Sequence, residues 1–420
     1  MNRRTGPESF LGIAGGKVSA ESQRNLDIAE DLCARRRPKE AVPYLVKAME
    51  DDANTDAWIQ AAFLAPDLDT SCEMLRDARK LGEKNLKKWL GTDCFEDGNK
   101  YVGQYWSVID TRPYMRVLQA LVRLSFQNHL YEESAQVIIE MLRLSPNDNM
   151  GQRYWLGSIL IRIGRYEDAF SFSQNWLDPQ VLRSGEPTPR GGCVFSKPSS
   201  PKPLSQSRID SMKYARAEFT YNSAFAAFKI WGDCELARQY LILSAKLSPN
   251  VLLKILARVD PPKSLNMSAR PMNGPQDAND YLWLTQDAWM AEDVWNWANS
   301  AEEVKMLILK GCTNSSCSNK ETRVGEFKRC SACHEVWYCS PNCQKADWQN
   351  HKPLCKERQR QKIMLKALTQ PGILIVNKFL ERDSEFRCQH HIVLYHAARG
   401  KAAFLYYCNS ATLHHLKTTL

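Results

Sequence analysis

The residues able to do chemistry gather between positions 312 and 355. Cys312 with Cys317, Cys330 with Cys333, Cys339 with Cys343, and His351 with Cys355 form four short-spaced pairs in the order Cys-x4-Cys-x12-Cys-x2-Cys-x5-Cys-x3-Cys-x7-His-x3-Cys. Half of the chain's 14 cysteines lie in this window. Thiolate and imidazole donors arranged this way suit tetrahedral zinc, and four pairs suffice for two ions. Sites closed by four protein ligands leave no position for water, so the expected zinc is structural and not hydrolytic. A segment this short buries too little surface to fold alone. Metal binding, roughly 10–16 kcal/mol per site in finger peptides, supplies the difference. His334, next to Cys333, is a candidate substitute ligand, with a surface position as the bland alternative.

The elements that must position these donors can be read locally. Ser340-Pro341 offers an N-cap followed by proline at the first helical position, so a helix is expected to begin at Pro341. It would carry Cys343 and His351 roughly 12 Å apart along its axis, too far for one ion. The helix is therefore expected to serve two sites.

The run Cys330-Ser-Ala-Cys333-His-Glu-Val-Trp-Tyr338-Cys339-Ser-Pro-Asn-Cys343-Gln344-Lys-Ala-Asp347-Trp348-Gln-Asn-His351-Lys-Pro-Leu-Cys355 resembles a MYND-type zinc finger. Aromatic-Cys, then Cys-Gln, then Asp-Trp-x-x-His follow that family's order. The four-residue gap in the first pair, where two is common, resembles fungal-type members. The resemblance implies interleaved ligation, with Cys312, Cys317, Cys339 and Cys343 on one zinc and Cys330, Cys333, His351 and Cys355 on the other. The sequence alone also allows consecutive pairing. The resemblance further implies a shallow groove for proline-containing peptides, at positions matching Ser331, Gln344 and Trp348. Gln344 and Trp348, four residues apart on a helix, share a face. The alternative is that Trp348 packs over the zinc core.

Upstream, residues 22–300 read as mostly α. In Glu40–Met49 the apolar positions Ala41, Val42, Leu45, Ala48 and Met49 mark one face, and in Ser134–Leu144 Ala135, Val137, Ile138, Met141 and Leu142 do the same. His129-Leu-Tyr131-Glu-Glu-Ser134, Gly164-Arg-Tyr166-Glu-Asp-Ala169 and Gly232-Asp-Cys234-Glu-Leu-Ala237 share a frame, with Pro38-Lys-Glu-Ala41 as a weaker copy. Pro146 and Pro249 follow two of them at equal distance. This resembles the tetratricopeptide repeat, in which a small residue lets paired helices approach and a proline closes the second helix. The spacing back to Ala41 and the missing proline after Ala169 depart from it. Arg112-Pro-Tyr-Met-Arg and the helix after it resemble helical-repeat proteins such as the suppressor-of-tumorigenicity family, which implies a scaffold only.

Residues 180–208, with Gly185-Glu-Pro-Thr-Pro and Pro198-Ser-Ser-Pro-Lys-Pro, have few apolar side chains and are expected to be a disordered insertion. Residues 259–280 form a second irregular stretch, followed by Tyr281, Trp283, Trp289, Trp295 and Trp297, expected to cap the helical core. The remaining domain reading is a disordered 1–21, a finger over 308–357, and over 358–420 a basic helix ending near Leu368 with a poorly ordered tail.

Composition is that of an ordinary globular protein: 44% hydrophobic, 25% charged, formal net charge +9. No run of apolar residues is long enough to span a bilayer, and the N-terminus makes a poor secretory signal. Clustered thiols without such a signal point to an intracellular, reducing compartment, cytoplasmic or nuclear. No phosphate-binding loop, dinucleotide fingerprint or nucleophile elbow occurs. Only 65 residues follow Cys355 and no Asn-His-Ser-Cys-like motif is found, so a SET–MYND methyltransferase is not expected. The expectation is a non-enzymatic adaptor that recruits proteins through finger and repeats. Nucleic-acid binding through the basic segment 352–366 is the alternative.

Overall fold

The computed structural model describes residues 17–266 and 271–369, with side chains as far as residue 364, and the strand segments 390–394 and 405–409. Its contacts fall into two units. The larger comprises residues 1–329 and 336–346, the smaller 330–335 and 347–420.

The larger unit is built from helices: α1 (Ala20–Ala34), α2 (Pro38–Met49), α3 (Thr55–Ala62), α4 (Leu68–Leu90), α5 (Arg112–Gln127), α6 (Tyr131–Leu144), α7 (Arg153–Arg162), α8 (Tyr166–Trp176), α9 (Pro179–Ser184), α10 (Gln206–Ser211), α11 (Ala217–Trp231), α12 (Glu235–Leu247), α13 (Pro249–Leu256), α14 (Pro275–Trp289), α15 (Glu292–Ser300) and α16 (Glu302–Ile308). Local signals set several ends. Asp67 accepts the Thr70 N–H at 2.7 Å to start α4, and Gly91, at φ 111°, stops it. Helices α6 and α12 end at Leu144 and Leu247, just ahead of Pro146 and Pro249, as the proline positions predict.

Neighbouring helices pack in sequence, α5 on α6, α6 on α7, α7 on α8, α8 on α11 and α11 on α12. The small residues of the recurring frame, Ser134, Ala169 and Ala237, are all fully buried. The Ser134 hydroxyl donates to the Val122 carbonyl of α5 at 2.8 Å, so the small side chain both permits and bonds the close approach. The predicted face of α6 is buried throughout. On α2 the expectation is corrected at Val42, which is 48% exposed: Ala41, Leu45 and Ala48 define the inward stripe, and Val42 lies a third of a turn away.

Segment 180–208 is not a disordered insertion. Val181 and Leu182 of α9, Ile209 of α10, and Phe195 and Leu204 between them pack against the main core. The turn Pro189–Gly192 and the chain after it are held by hydrogen bonds to α8. Trp176 Nε1 donates to the Gly191 carbonyl at 3.1 Å, Asn175 Nδ2 to Gly192 O at 2.9 Å, and the Ser196 N–H to Ser171 Oγ at 2.8 Å. A Cβ on Gly191 would lie 2.7 Å from Leu142 Cβ, so only glycine fits there.

Helix α14 settles where the tryptophans go. It lies on a face shared by α5, α7 and α11. Trp283 meets Phe126 of α5 (ring centroids 4.7 Å) and Trp155 of α7 (5.5 Å), and Tyr281 meets Tyr221 of α11 (5.5 Å). Trp289 and Trp297 are buried in the core, and Trp289 Nε1 donates to the Tyr281 hydroxyl at 3.0 Å. Arg162 of α7 clamps the outer edge, donating to both carboxylate oxygens of Asp287 at 2.6 Å.

The finger's elements are the strands β1 (Lys328–Arg329) and β2 (Trp337–Tyr338), paired antiparallel, and helix α17 (Pro341–Thr369). Helix α17 starts at the predicted residue and runs through Pro353 without a break, so the expected separate basic helix is its continuation. In the C-terminal stretch, strands β3 (His390–Leu394) and β4 (Leu405–Asn409) pair antiparallel. Residues 1–16, the greater part of the expected disordered N-terminus, and the rest of the tail lie outside the described residues, while Ala20 and Glu21 already belong to α1. No helix among the described residues is long and apolar enough to cross a membrane.

One buried ion pair ties α3 to α5. Arg116, 1% exposed, donates to both carboxylate oxygens of Asp56 at 2.8 and 2.7 Å. Replacing Arg116 by Met leaves the Asp56 carboxylate without this partner, at an expected cost of about 3–5 kcal/mol in urea unfolding. Adding Asp56→Asn to that variant should restore a large part of the loss.

Candidate metal centre

The four donors that belong to the larger unit come from three pieces of chain. Cys312 and Cys317 sit on a knuckle closed by Cys312 N–H to Asn319 O (2.8 Å) and Cys317 N–H to Asn314 O (2.8 Å). Cys339 follows β2. Cys343 lies in the first turn of α17, where its N–H donates to the Ser340 hydroxyl at 3.2 Å, the predicted cap. The loop that separates this knuckle from β1 is pinned by Glu321, 4% exposed, whose carboxylate accepts the Lys310 and Phe327 N–H groups, each at 2.8 Å. Nothing in the polar run Lys320-Glu321-Thr322-Arg323 distinguishes this glutamate by spacing or periodicity, so sequence reasoning missed it.

The second quartet belongs to the smaller unit. Cys330 and Cys333 lie on a tight turn that the His334 N–H closes on the Cys330 carbonyl at 2.9 Å, with His334 itself at φ 59°. His351 and Cys355 lie one turn apart on α17. All four are buried. His334 is exposed and outside the quartet, as a surface residue would be. Lys362 Nζ donates to the Cys333 carbonyl, and Gln359 Nε2 approaches Cys355 Sγ at 3.7 Å. Both contacts come from the basic part of α17, which sequence reasoning treated as a separate solvated helix.

In each quartet the ligand atoms lie within 4.8 Å of one another: Cys312, Cys317, Cys339 and Cys343 in one, Cys330, Cys333, His351 and Cys355 in the other. Within them Cys317–Cys339, Cys339–Cys343 and Cys330–Cys355 have sulfur–sulfur distances of 3.7, 3.5 and 3.9 Å, and Cys333 Sγ is 3.5 Å from His351 Nε2. A tetrahedron with zinc–sulfur bonds of about 2.3 Å has edges of about 3.8 Å, so the donors stand where two zinc ions would hold them. The distances are far longer than a disulfide bond. The two quartets follow the interleaved pairing, and Cys343 and His351 of one helix fall in different sites.

Electrostatics within each quartet make the same point. At Cys343 the Ser340 hydroxyl, and then Cys339, pull the thiol down to about 7. At Cys317 the backbone near Asn319 favours the thiolate, but burial and the neighbouring thiols push it up to about 11. In the second quartet burial raises Cys330, yet the Cys333 backbone and the His351 ring more than offset it, leaving it at about 6. Cys355 is pushed up to about 11, by burial first and then by Cys330. Four thiolates cannot ionise together at such distances unless a cation neutralises them, and a dication does that.

The residues matching the family's peptide groove are placed individually. Ser331 is exposed on the Cys330–Cys333 turn. Gln344 is half-buried in the first turn of α17, with its N–H on Ser340 O at 3.2 Å. Trp348 is 41% exposed, its ring against His351 at 6.0 Å. Trp348 therefore both touches a zinc ligand and shows an open face.

A MYND finger family model matches residues 312–355, the span of these ligands. Residues 312–355 are a MYND finger. Curated relatives share a comparable length with the chain and little more. An F-box protein of Arabidopsis thaliana is 48% identical over 48 residues, 11% of this chain and 14% of its own length. SET domain-containing protein 14 of Caenorhabditis elegans is 43% identical over 49 residues, 12% of this chain and 11% of its own. A MYND-type zinc finger protein of Saccharomyces cerevisiae is 34% identical over 59 residues, 14% and 10% respectively. The chain thus spans only 10–14% of the length of these relatives. No solved structure matches the chain.

Mass spectrometry of the purified protein should find two zinc ions per chain. Cys317→Ser and Cys333→Ser should each lower the content toward one, because the two quartets share no ligand. Chelation should expose amides of the finger to hydrogen exchange while those of α5–α8 stay protected. Acidification should release the metal, since protons compete for the thiolates.

Proposed function

We propose that this chain is a non-enzymatic adaptor that recruits protein partners through its MYND finger, taking proline-containing peptide segments at Ser331, Gln344 and Trp348. The observation that carries this reading is Trp348, a large aromatic left substantially open to solvent on a helix fixed by a metal ligand one turn away. Proline rings stack on such surfaces at low entropic cost, because a proline-rich segment is already extended. Closed ligand sets support a structural role for the zinc ions.

The helical region acts in this reading as a scaffold of tetratricopeptide-like hairpins. Burial of Ser134, Ala169 and Ala237 at matching positions supports that description. With α14 lying over the shared face of α5, α7 and α11, the scaffold presents the finger and does not itself offer an open groove there. Some relatives carry SET domains or are described as methyltransferases, but the likeness to them is of finger length, so it lends no support to methyl transfer here.

Isothermal titration of the full zinc-loaded chain with proline-containing peptides tests the proposal. Saturable binding should be lost, or weakened by about tenfold or more, in Trp348→Ala and Gln344→Ala while zinc content is unchanged. Equal binding by the variants would remove these residues from the account.

A further inference from the structure

A second, chemically different site lies where the finger's first loop meets the helical domain, within the larger unit. The loop 322–326 folds over the end of α13 closely enough that a Cβ on Gly325, at φ +78°, would lie 3.2 Å from Ala257 Cβ. Between them is a cavity of about 750 Å³. Its floor is apolar and aromatic, with Leu256, Val324 and Trp295, and its rim is cationic, with Arg258, Lys305, Arg323 and Lys328.

Three of these cations, Arg258, Arg323 and Lys328, make no ion pair among the described residues. Lys305 is paired with Glu302. The one acid on the rim, Glu326, accepts from the Thr322 N–H at 2.8 Å and hydroxyl at 3.0 Å. It feels the Arg323 charge only as its weakest influence, which leaves Arg258 and Lys328 to face a ligand unopposed. Just beyond the rim, burial and then the adjacent Arg329 guanidinium hold the Lys254 ammonium below its ordinary range, so positive charge is crowded here. Arg258 also has a costly conformation. It follows α13 at φ 50°, where glycine or asparagine is usual, and its guanidinium stacks 4.1 Å from the Trp295 ring centre. A non-glycine residue held in that region, with its charge fixed on an aromatic face, is preorganised to meet an anion.

We propose that this cavity is a docking site for an acidic peptide segment of a partner protein, with side-chain carboxylates on Arg258, Arg323 and Lys328 and an apolar side chain on the Trp295 floor. A protein segment fits better than nucleic acid. The cations line one notch and do not follow a stripe, and its apolar floor of Leu256, Val324 and Trp295 suits a peptide side chain better than a polyphosphate backbone. The site goes beyond the peptide reading of the finger and does not depend on it.

Fluorescence anisotropy of a labelled peptide of alternating glutamate and leucine, titrated with the full zinc-loaded chain, tests this. Saturable binding at low salt is expected. It should weaken with added salt, and by about tenfold or more in the double variant Arg323→Glu, Lys328→Glu. Trp348→Ala should leave it unchanged, which separates this site from the finger's groove. Should the double variant lose zinc, Arg258→Gln on the helical side carries the same expected weakening. Absence of binding at low salt, or equal binding by variants that keep their zinc, overturns the proposal. Tighter binding of duplex DNA, abolished by the same charge reversal, would overturn it in favour of nucleic acid.

Discussion

Mutual repulsion among four thiolates, or three thiolates and an imidazole, held within 4.8 Å is the constraint on which the finger depends. The Ser340 hydroxyl holds Cys343 low, and at Cys330 burial is outweighed by the Cys333 backbone and His351. Burial and then Cys330 push Cys355 up, and at Cys317 the backbone is outweighed by burial and the neighbouring thiols. Without a cation the thiols of a quartet cannot all ionise together. A zinc ion in each quartet converts that repulsion into the attraction that fixes the knuckle, the Cys330–Cys333 turn and the two ligand positions on α17. Around these sites the chain supplies only two two-residue strands and one helix, too little buried area to hold a fold unaided. Placement of Trp348 therefore follows from metal ligation through His351.

The helical domain solves a different problem by ordinary means. Its helices bury continuous apolar stripes against neighbours in sequence, and α14 closes the shared face of α5, α7 and α11 with aromatic contacts and the Arg162–Asp287 clamp. The consequence for function is a division of labour. The helices bury their apolar side chains against one another, whereas Trp348 of the finger and the cationic notch at Arg258 keep open, chemically distinctive surfaces.

How much of this was legible in the chain depended on the kind of signal. Ligand spacing revealed every metal donor, because coordination geometry constrains residue type and separation together. Ser340-Pro341 revealed the start of α17 for a similarly local reason. Periodicity located α6 but misjudged Val42, because the buried stripe of α2 is narrower, Ala41, Leu45 and Ala48 alone, and turns the residue next to Ala41 to solvent. Segment 180–208 looked unable to fold because its few apolar side chains, Val181, Leu182, Phe195 and Leu204, are widely spaced, and its other anchors are backbone carbonyls, which composition does not register. Glu321 and the notch at Arg258 were invisible too. Both arise from contacts between distant stretches of chain, and neither leaves a pattern within its own stretch.

The central claim is that recruitment runs through the exposed aromatic face of a zinc-held finger. Proximity labelling in cells with the intact protein and with Trp348→Ala, at matched expression and zinc content, tests it most directly. The account predicts that a defined group of labelled neighbours disappears in the variant while the protein stays folded. An unchanged set of neighbours would contradict it.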